Sequence, residues 1–302
     1  MKTPERDYDL SVIIPTYNRC TLLDYTLDSL LKQNIDKQRF EVVIGDDGST
    51  DDTRAVVRKY EGLMNVKYVF QEDEGYRPAS ARNKAIRASE GRICLFVDSS
   101  VMLDPDCIAS HIDFHDSSSA AKVALGYVYG FDHNEESEDL LKKLVVPSDA
   151  RLSVERLSEH PVFHDVREAH YVKYKDELET LPAPWFYFWT CHLSVTAKEL
   201  FLAGLFDEKY DGRWGVEDND LGYRLHQNGV QICLLREAVS IHYPHGKDKV
   251  SRHHEGYENC RYFNNKFPGI ETQLFLDHYT SKELVDINEL VLAGVGKQEK
   301  VV

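Results

Sequence analysis

The sequence predicts an α/β fold: a mostly parallel central sheet flanked by helices, with a helical C-terminal extension. Three observations carry that expectation. Short apolar runs alternate with helix-periodic stretches through the first hundred residues, as in a parallel sheet covered on both faces. The apolar runs end in polar clusters, and in such sheets ligands sit at the carboxyl ends of strands. The last fifty residues, from 251, are mostly helical in pattern and close on a polar tail.

Leu10-Ser11-Val12-Ile13-Ile14-Pro15 is an apolar run stopped by a proline and reads as a buried parallel strand. Leu22, Leu23, Leu27, Leu30 and Leu31 recur at helical spacing, which predicts a helix over 21–33. A second strand is expected over 40–44, ended by Gly45-Asp46-Asp47-Gly48-Ser49, and Asp51 or Asp52 caps the helix that follows to residue 60. Strands at 66–70 and 93–97 flank a helix at 79–89. The stretch 131–179 is charged, with helical segments at 137–143 and 153–157. After the Pro- and aromatic-rich stretch 181–189 come a strand at 193–195, a helix at 197–203 and late strands at 231–235 and 239–242.

With 302 residues, 42% hydrophobic and 29% charged, the chain suits one large α/β domain or two small ones. A net charge of -15 argues against nucleic acid or an anionic membrane as the main partner. The six cysteines include no C-x-x-C pair and read as buried free thiols of a reducing compartment. No apolar run approaches the roughly 18 residues of a membrane span, and residues 1–9 lack the apolar core of a signal peptide. A cytoplasmic protein is expected.

The run Ser11-Val12-Ile13-Ile14-Pro15-Thr16-Tyr17-Asn18-Arg19, then Ile44-Gly45-Asp46-Asp47-Gly48-Ser49-Thr50-Asp51, then Ala79-Ser80-Ala81-Arg82-Asn83-Lys84-Ala85, resembles the start of family-2-type glycosyltransferases of the GT-A fold, a Rossmann-like sheet. Each motif lies at a predicted strand-to-helix transition, in the right order. Taken singly, Asp-Asp-Gly-Ser-Thr-Asp is also turn and cap sequence, and Arg82 is also a surface cation. The resemblance implies a nucleotide-sugar donor, a UDP-sugar first. It puts Asp47 on the uracil, Thr16 and Tyr17 in the base pocket with Pro15 and Arg19 beside them, and Arg82 near the diphosphate, where a helix start favours anions. Asp98 and Ser99 belong to the same donor site.

Glycosyltransferases of this fold usually hold Mn²⁺ or Mg²⁺ with Asp-x-Asp after the fourth strand. Here the stretch reads Asp98-Ser99-Ser100, so a weak neutral ligand stands in the place of the second Asp. Ser240-Ile241-His242-Tyr243-Pro244-His245-Gly246-Lys247-Asp248 resembles the metal-binding segment of family-7-type galactosyltransferases, which implies His242 and His245 as ligands beside Asp98 and Ser100, with the donor's diphosphate completing the shell. Imidazole suits Mn²⁺ better than Mg²⁺. The stretch Asp211-Gly212-Arg213-Trp214-Gly215-Val216-Glu217-Asp218-Asn219-Asp220 looks like the Trp-Gly-x-Glu-Asp segment of family-7 galactosyltransferases and chondroitin-polymerase-like enzymes. By that likeness Asp218 is the general base and Glu217 binds donor or acceptor hydroxyls. Trp214 offers a flat face to the sugar, and Gly215 lets the backbone pass close to it. A helix start decorated with acids is the plain alternative.

His192 stands where the family carries Asn. Trp185 and Trp189 are candidates for a wet, sugar-stacking face, and 131–179 for a lid or acceptor-selecting surface. The expected layout is a catalytic domain over 1–248, with a nucleotide-sugar half at 1–105 and an acceptor half at 106–248, then the helical extension at 249–302. The function expected is metal-assisted inverting transfer to a hydroxyl of a small molecule or glycan. The alternatives are a degenerate nucleotide-sugar-binding protein, suggested by Ser100, and a sugar nucleotidyltransferase, which expects glycines after the first strand that Pro15-Thr16-Tyr17-Asn18-Arg19 lacks.

Overall fold

Strand β1 (Tyr8–Thr16) explains the layering. Its side chains alternate between two apolar clusters: Leu10, Val12 and Ile14 on one face, Ile13 on the other. Strands β2 (Phe40–Asp46), β3 (Val66–Phe70) and β4 (Gly91–Val97) join it in parallel. Helix α1 (Cys20–Leu31) contributes Leu23, Leu27 and Leu30 to the first cluster, and α2 (Thr53–Tyr60) adds Val56 and Val57. Helix α3 (Pro78–Ala88) covers the opposite face with Ala79, Ala85 and Ile86. The computed structural model describes residues 7–131, 135–245, 249–281 and 283–298.

Among the described residues, eight strands form one sheet in the order β3-β2-β1-β4-β7-β6-β8-β5. The second half comprises β5 (Val101–Leu103), β6 (Lys122–Tyr129), β7 (His192–Thr196) and β8 (Gln231–His242). Strands β7 and β5 run antiparallel to their neighbours, and β6 and β8 pair in parallel. Strand β6 and the helix before it, α4 (Cys107–Asp116), went unread in the sequence. Residues 123–128 are buried on both faces and show no alternation, and Gly126 interrupts the run. The two late strands expected at 231–235 and 239–242 are one strand, with a register shift opposite Gly126 and Tyr127. Asp51 rather than Asp52 caps α2, accepting from Thr53 N at 3.0 Å.

The charged middle holds α5 (Glu135–Leu144), α6 (Ala150–Ser158) and α7 (Glu168–Lys173), and 184–187 forms a 3-10 turn. Then come α8 (Ala197–Ala203), α9 (Glu217–Gln227) and three C-terminal helices, α10 (Lys249–Lys266), α11 (Ile270–His278) and α12 (Ile287–Gln298). Phe263, Phe275 and Ile287 of the last three lie in the same apolar cluster as Trp185 and Phe186. Residues 246–248, where the expected domain boundary falls, lie outside the described residues. All six cysteines are free thiols, four of them buried. Among the described residues no helix is long and apolar enough to cross a membrane.

Helix α3 ties the two halves of the chain together. Asp211 caps its N-terminus from a distance, accepting from Ala79 N at 3.0 Å and Ser80 N at 3.2 Å. Asn83 acts as a second strand for the segment before it: its Nδ2 donates to Phe206 O at 2.9 Å and its Oδ1 accepts from Phe206 N at 2.9 Å. Asn83→Ala leaves a buried N–H and a buried C=O unpaired, so it is expected to lower stability by about 2 kcal/mol or more in denaturant unfolding. A loss under about 0.5 kcal/mol would remove this clamp from the account.

Candidate active site

The carboxyl ends of β1 and β2 are laced to each other. Asn18 takes a left-handed backbone, φ 49°. Its Oδ1 accepts from Thr50 N at 2.8 Å and Asp51 N at 3.2 Å, and its own N–H donates to Ser49 Oγ at 2.8 Å. Pro15, the buried Thr16, the exposed Tyr17 and the half-buried Arg19 lie along this junction. The two acids of β2 divide their work. Asp46 holds its own turn, accepting from Ser49 N at 2.8 Å and Tyr68 Oη at 2.5 Å. Asp47, 5% exposed, accepts from Gln71 Nε2 at 2.5 Å and from Arg77 N at 2.6 Å. Burial raises its carboxyl above the usual range, against the lowering effect of those bonds. Tyr17 Oη donates to Asp73 at 2.9 Å. The loop after β3 therefore closes over the ends of β1 and β2.

Arg82, which the resemblance puts near the diphosphate, is no surface cation: it is 6% exposed. Its guanidinium donates to Glu217 Oε1 at 3.0 Å and to Asp98 Oδ1 at 3.4 Å, with its plane 5.5 Å from the Phe206 ring. Asp98, Glu217 and Asp218 all act on its charge. Three carboxylates thus face one guanidinium.

The segment 212–218 is held along its length. Gly212 N donates to Tyr76 O at 2.7 Å, and Trp214 N to Glu255 Oε2 at 3.1 Å. Gly215 has φ 89°, and a Cβ there would stand 3.1 Å from Tyr279 Oη. Val216, β-branched, has φ 75° immediately before α9, a conformation kept only where its surroundings over-determine it. Trp214 is 36% exposed. At the start of α9, Glu217 is buried on Arg82. Asp218 is half-buried, and its Oδ2 accepts from Thr190 N at 3.0 Å and Thr190 Oγ1 at 3.1 Å. Burial and the neighbouring Asp218 push Glu217 up to about 8, with Arg82 opposing.

Strand β5, too short to read in the sequence, pairs Val101 with His242 on β8. That register brings Ser100 Oγ to 3.3 Å from His242 Nε2, with Tyr243 N donating to Ser100 O at 2.8 Å. The His242 and His245 rings lie 5.1 Å apart, and His245 Nδ1 donates to Tyr243 O at 3.2 Å. Ser99 is buried beside them, and Asp98 N donates to Cys191 O at 3.4 Å. Gly246-Lys247-Asp248 of this motif lies outside the described residues. Asp98, His242 and His245 do not by themselves bring three donor atoms within 4.8 Å; among the described residues that proximity occurs at Cys107, His111 and His192. A cation held at 98–100 and 242–245 needs oxygen ligands from the donor as well.

The aromatic face is corrected in one member. Trp185 is 0% exposed and packs 5.2 Å from Phe263 and 5.5 Å from Phe275, because the C-terminal helices cover it. Trp189 stays half-buried, its ring 5.3 Å from Phe131, which in turn lies 5.2 Å from His242.

Comparison with known proteins bears on these groups. The family description "Glycosyl transferase family 2" matches residues 11–165. Validoxylamine A glucosyltransferase of Streptomyces hygroscopicus subsp. jinggangensis is 41% identical over 266 residues, 88% of this chain and 63% of that protein. Chondroitin synthase of Escherichia coli is 31% identical over 245 residues, 79% of this chain and 35% of its own. The chain therefore spans less than two thirds of the length of these relatives. Among solved structures, S. aureus TarS 1-349 in complex with UDP-GlcNAc superposes with a TM-score of 0.60 at 22% identity, covering 90% of this chain and 71% of that one. This last likeness establishes the shared fold.

The raised Glu217 has a consequence for stability. Its folded value lies above the ordinary 4.5, so the folded state keeps a proton that the unfolded state loses. Its contribution is full below 4.5 and is lost as pH rises to about 8. Thermal unfolding of the ligand-free protein across that window is expected to show a declining melting temperature that Glu217→Gln flattens. Equal slopes for both proteins would place the titration elsewhere.

Proposed function

The chain belongs to glycosyl transferase family 2, and from that premise we propose that it transfers a sugar from a UDP-sugar to a hydroxyl of a small-molecule or glycan acceptor, inverting the anomeric carbon with Asp218 as general base. The chain is a glycosyltransferase of the GT-A fold; the donor, the stereochemistry and the site roles are the proposal. The bound UDP-GlcNAc of the TarS fragment favours a uridine donor. The validoxylamine A relative, at 41% against 31% for the polymerising one, favours a glucosyl donor and a discrete acceptor.

One observation carries the choice of base. In Glu217-Asp218-Asn219-Asp220, each of the other two acids has a cation: Glu217 meets Arg82 at 3.0 Å, and Asp220 meets Arg224 and Lys266, each at 2.6 Å. Among the described residues Asp218 has no ion pair, and its two hydrogen bonds both fall on Oδ2. Its Oδ1 is then the oxygen to take the acceptor's proton as the acceptor oxygen attacks the anomeric carbon. The new C–O bond forms as the bond to the nucleoside diphosphate breaks on the opposite side. Glu217, locked by Arg82, orients a sugar hydroxyl, and Trp214 lends its face to the pyranose.

The site also carries excess negative charge. Asp98, Glu217 and Asp218 against Arg82 leave it negative even with Glu217 protonated, and a donor diphosphate adds more. A divalent cation, Mn²⁺ or Mg²⁺, supplies charge neutralisation on the leaving diphosphate when bound. Asp98, Ser100, His242 and His245 would hold it, and the imidazoles favour Mn²⁺. Pro15, Thr16, Tyr17, Arg19 and Asp47 would hold the nucleoside, with Ser99 and Gly215 facing the sugar.

Asp218→Asn keeps the shape and the Thr190 contacts but removes the proton acceptor. Turnover is expected to fall by roughly 10²–10⁴-fold with UDP-sugar affinity nearly unchanged, and NMR of the wild-type product is expected to show an inverted anomeric centre. Normal turnover in the variant, or retention, would reopen the acidic cluster.

Chelation is expected to abolish transfer and Mn²⁺ to restore it, and His242→Ala is expected to raise the Mn²⁺ concentration needed. Full wild-type turnover in EDTA would leave the diphosphate to cationic side chains alone.

A further inference from the structure

Away from the donor pocket, three soft ligands converge in the core. Cys107 and His111 are one helical turn apart on α4 and so share a face. His192 opens β7 and meets them from the sheet. All three are 0% exposed. Cys107 Sγ lies 3.2 Å and His111 Nε2 3.0 Å from His192 Nε2, and one donor atom from each lies within 4.8 Å of the others. Strand β6 makes room for the imidazole: a Cβ on Gly126 would sit 2.2 Å from His192 ring atoms.

The outer hydrogen-bond partners of the two imidazoles suit metal ligation. His192 Nδ1 is 2.8 Å from Ser240 Oγ, and His111 Nδ1 is 2.8 Å from Ser194 Oγ. A neutral imidazole has one lone pair and one N–H. Without a cation, the Cys107 thiol and His111 Nε2 both crowd His192 Nε2, which can serve only one of them well. With a cation the conflict ends. The thiolate and two Nε2 lone pairs bind it, while His192 Nδ1–H donates to Ser240 and His111 Nδ1–H donates to Ser194. The Ser194 hydroxyl then donates to His115 Nε2 at 2.8 Å. Each ligating imidazole thus has the outer hydrogen bond that metal-bound histidines ordinarily make.

We propose that Cys107, His111 and His192 supply three ligands to a thiophilic cation of the zinc class, with a water as the fourth, at a site separate from the catalytic one. Thiolate and imidazole select such a cation over Mg²⁺ or Mn²⁺. Four-coordinate zinc spaces imidazole nitrogens about 3.4 Å apart, so the side chains open by a few tenths of an ångström on binding. The position gives the site a purpose. His192 pairs with Val97 beside Asp98, and Ser240 lies two residues before His242. The cation would pin α4 to β7 beneath the loop that carries Asp98, Ser99 and Ser100.

Elemental analysis of the desalted whole chain, expressed with zinc supplied, is expected to find about one zinc per molecule. His111→Gln and Cys107→Ser are each expected to reduce that to under about a tenth. Should either variant fail to fold by circular dichroism, the other and the wild type carry the test. Cobalt-substituted wild type is expected to show a thiolate-to-metal charge-transfer band in the near ultraviolet. That band should survive His242→Ala, which separates this site from the donor site, and vanish with Cys107→Ser. A folded wild-type chain holding less than about a tenth of an equivalent of any transition metal, or a cobalt form with no thiolate band, overturns the proposal.

Discussion

The buried guanidinium of Arg82 is the contact on which the rest of the site depends. It joins Asp98, at the end of β4, to Glu217, at the start of α9, residues otherwise far apart in the chain. Helix α3 grips the stretch 206–217 at three successive levels. Ala79 and Ser80 are capped by Asp211, Arg82 holds Glu217, and Asn83 holds Phe206. Each contact is a paired polar group, buried at Arg82 and Asn83 and part-buried at Asp211, so each is costly to break. The Ala-Arg-Asn signature thereby fixes where residues 206–217 sit relative to β1 to β4.

A buried ion cluster is a poor way to gain stability, since an apolar replacement of the same shape often does as well. Its retention here has a chemical reading. Under the proposed function, removing charge from around Arg82 would also remove the negative field that a cation would balance against a donor diphosphate. The strain at Val216 fits the same view. Its left-handed backbone turns the chain so that Glu217 and Asp218 begin a helix at the site, and Asn259, donating to Gly215 O at 2.8 Å, helps hold that turn.

What the sequence disclosed depended on whether a residue's partners were near it in the chain. Strands β1 to β4 were legible because each is an apolar run ending in a polar cluster. Strand β6 was not, because Gly126 broke its apolar run. Strand β5 has three residues, below any periodic signal, yet it sets Ser100 beside His242. Arg82 was legible as a motif residue but not as a buried one, since Glu217 lies 135 positions away. His192 stood out as a departure from the family's Asn, while its partners Cys107 and His111 on α4 appear only once the fold brings them together. Trp185 looked like a sugar platform until the C-terminal helices covered it.

Those helices also explain how one acidic run yields different roles. Lys266 of α10 reaches both Asp207 at 2.7 Å and Asp220 at 2.6 Å, and Tyr210 Oη donates to Asp220 at 3.0 Å. Asp220, 0% exposed, is thereby neutralised from behind. Glu217, three residues earlier, is engaged from the front by Arg82. Asn219 turns to the carbonyls of Trp185 and Phe186. Helical geometry gives these residues different directions, and among the described residues the fold supplies an ion pair for Glu217 and Asp220 but none for Asp218. Asp218 is anchored by neutral donors on Thr190 and keeps its carboxylate uncompensated by any ion pair among the described residues. A group meant only to decorate a helix start would gain from the same cations its neighbours use. A carboxylate anchored by neutral donors, with no ion pair among the described residues, is the arrangement that the proposed proton acceptor needs.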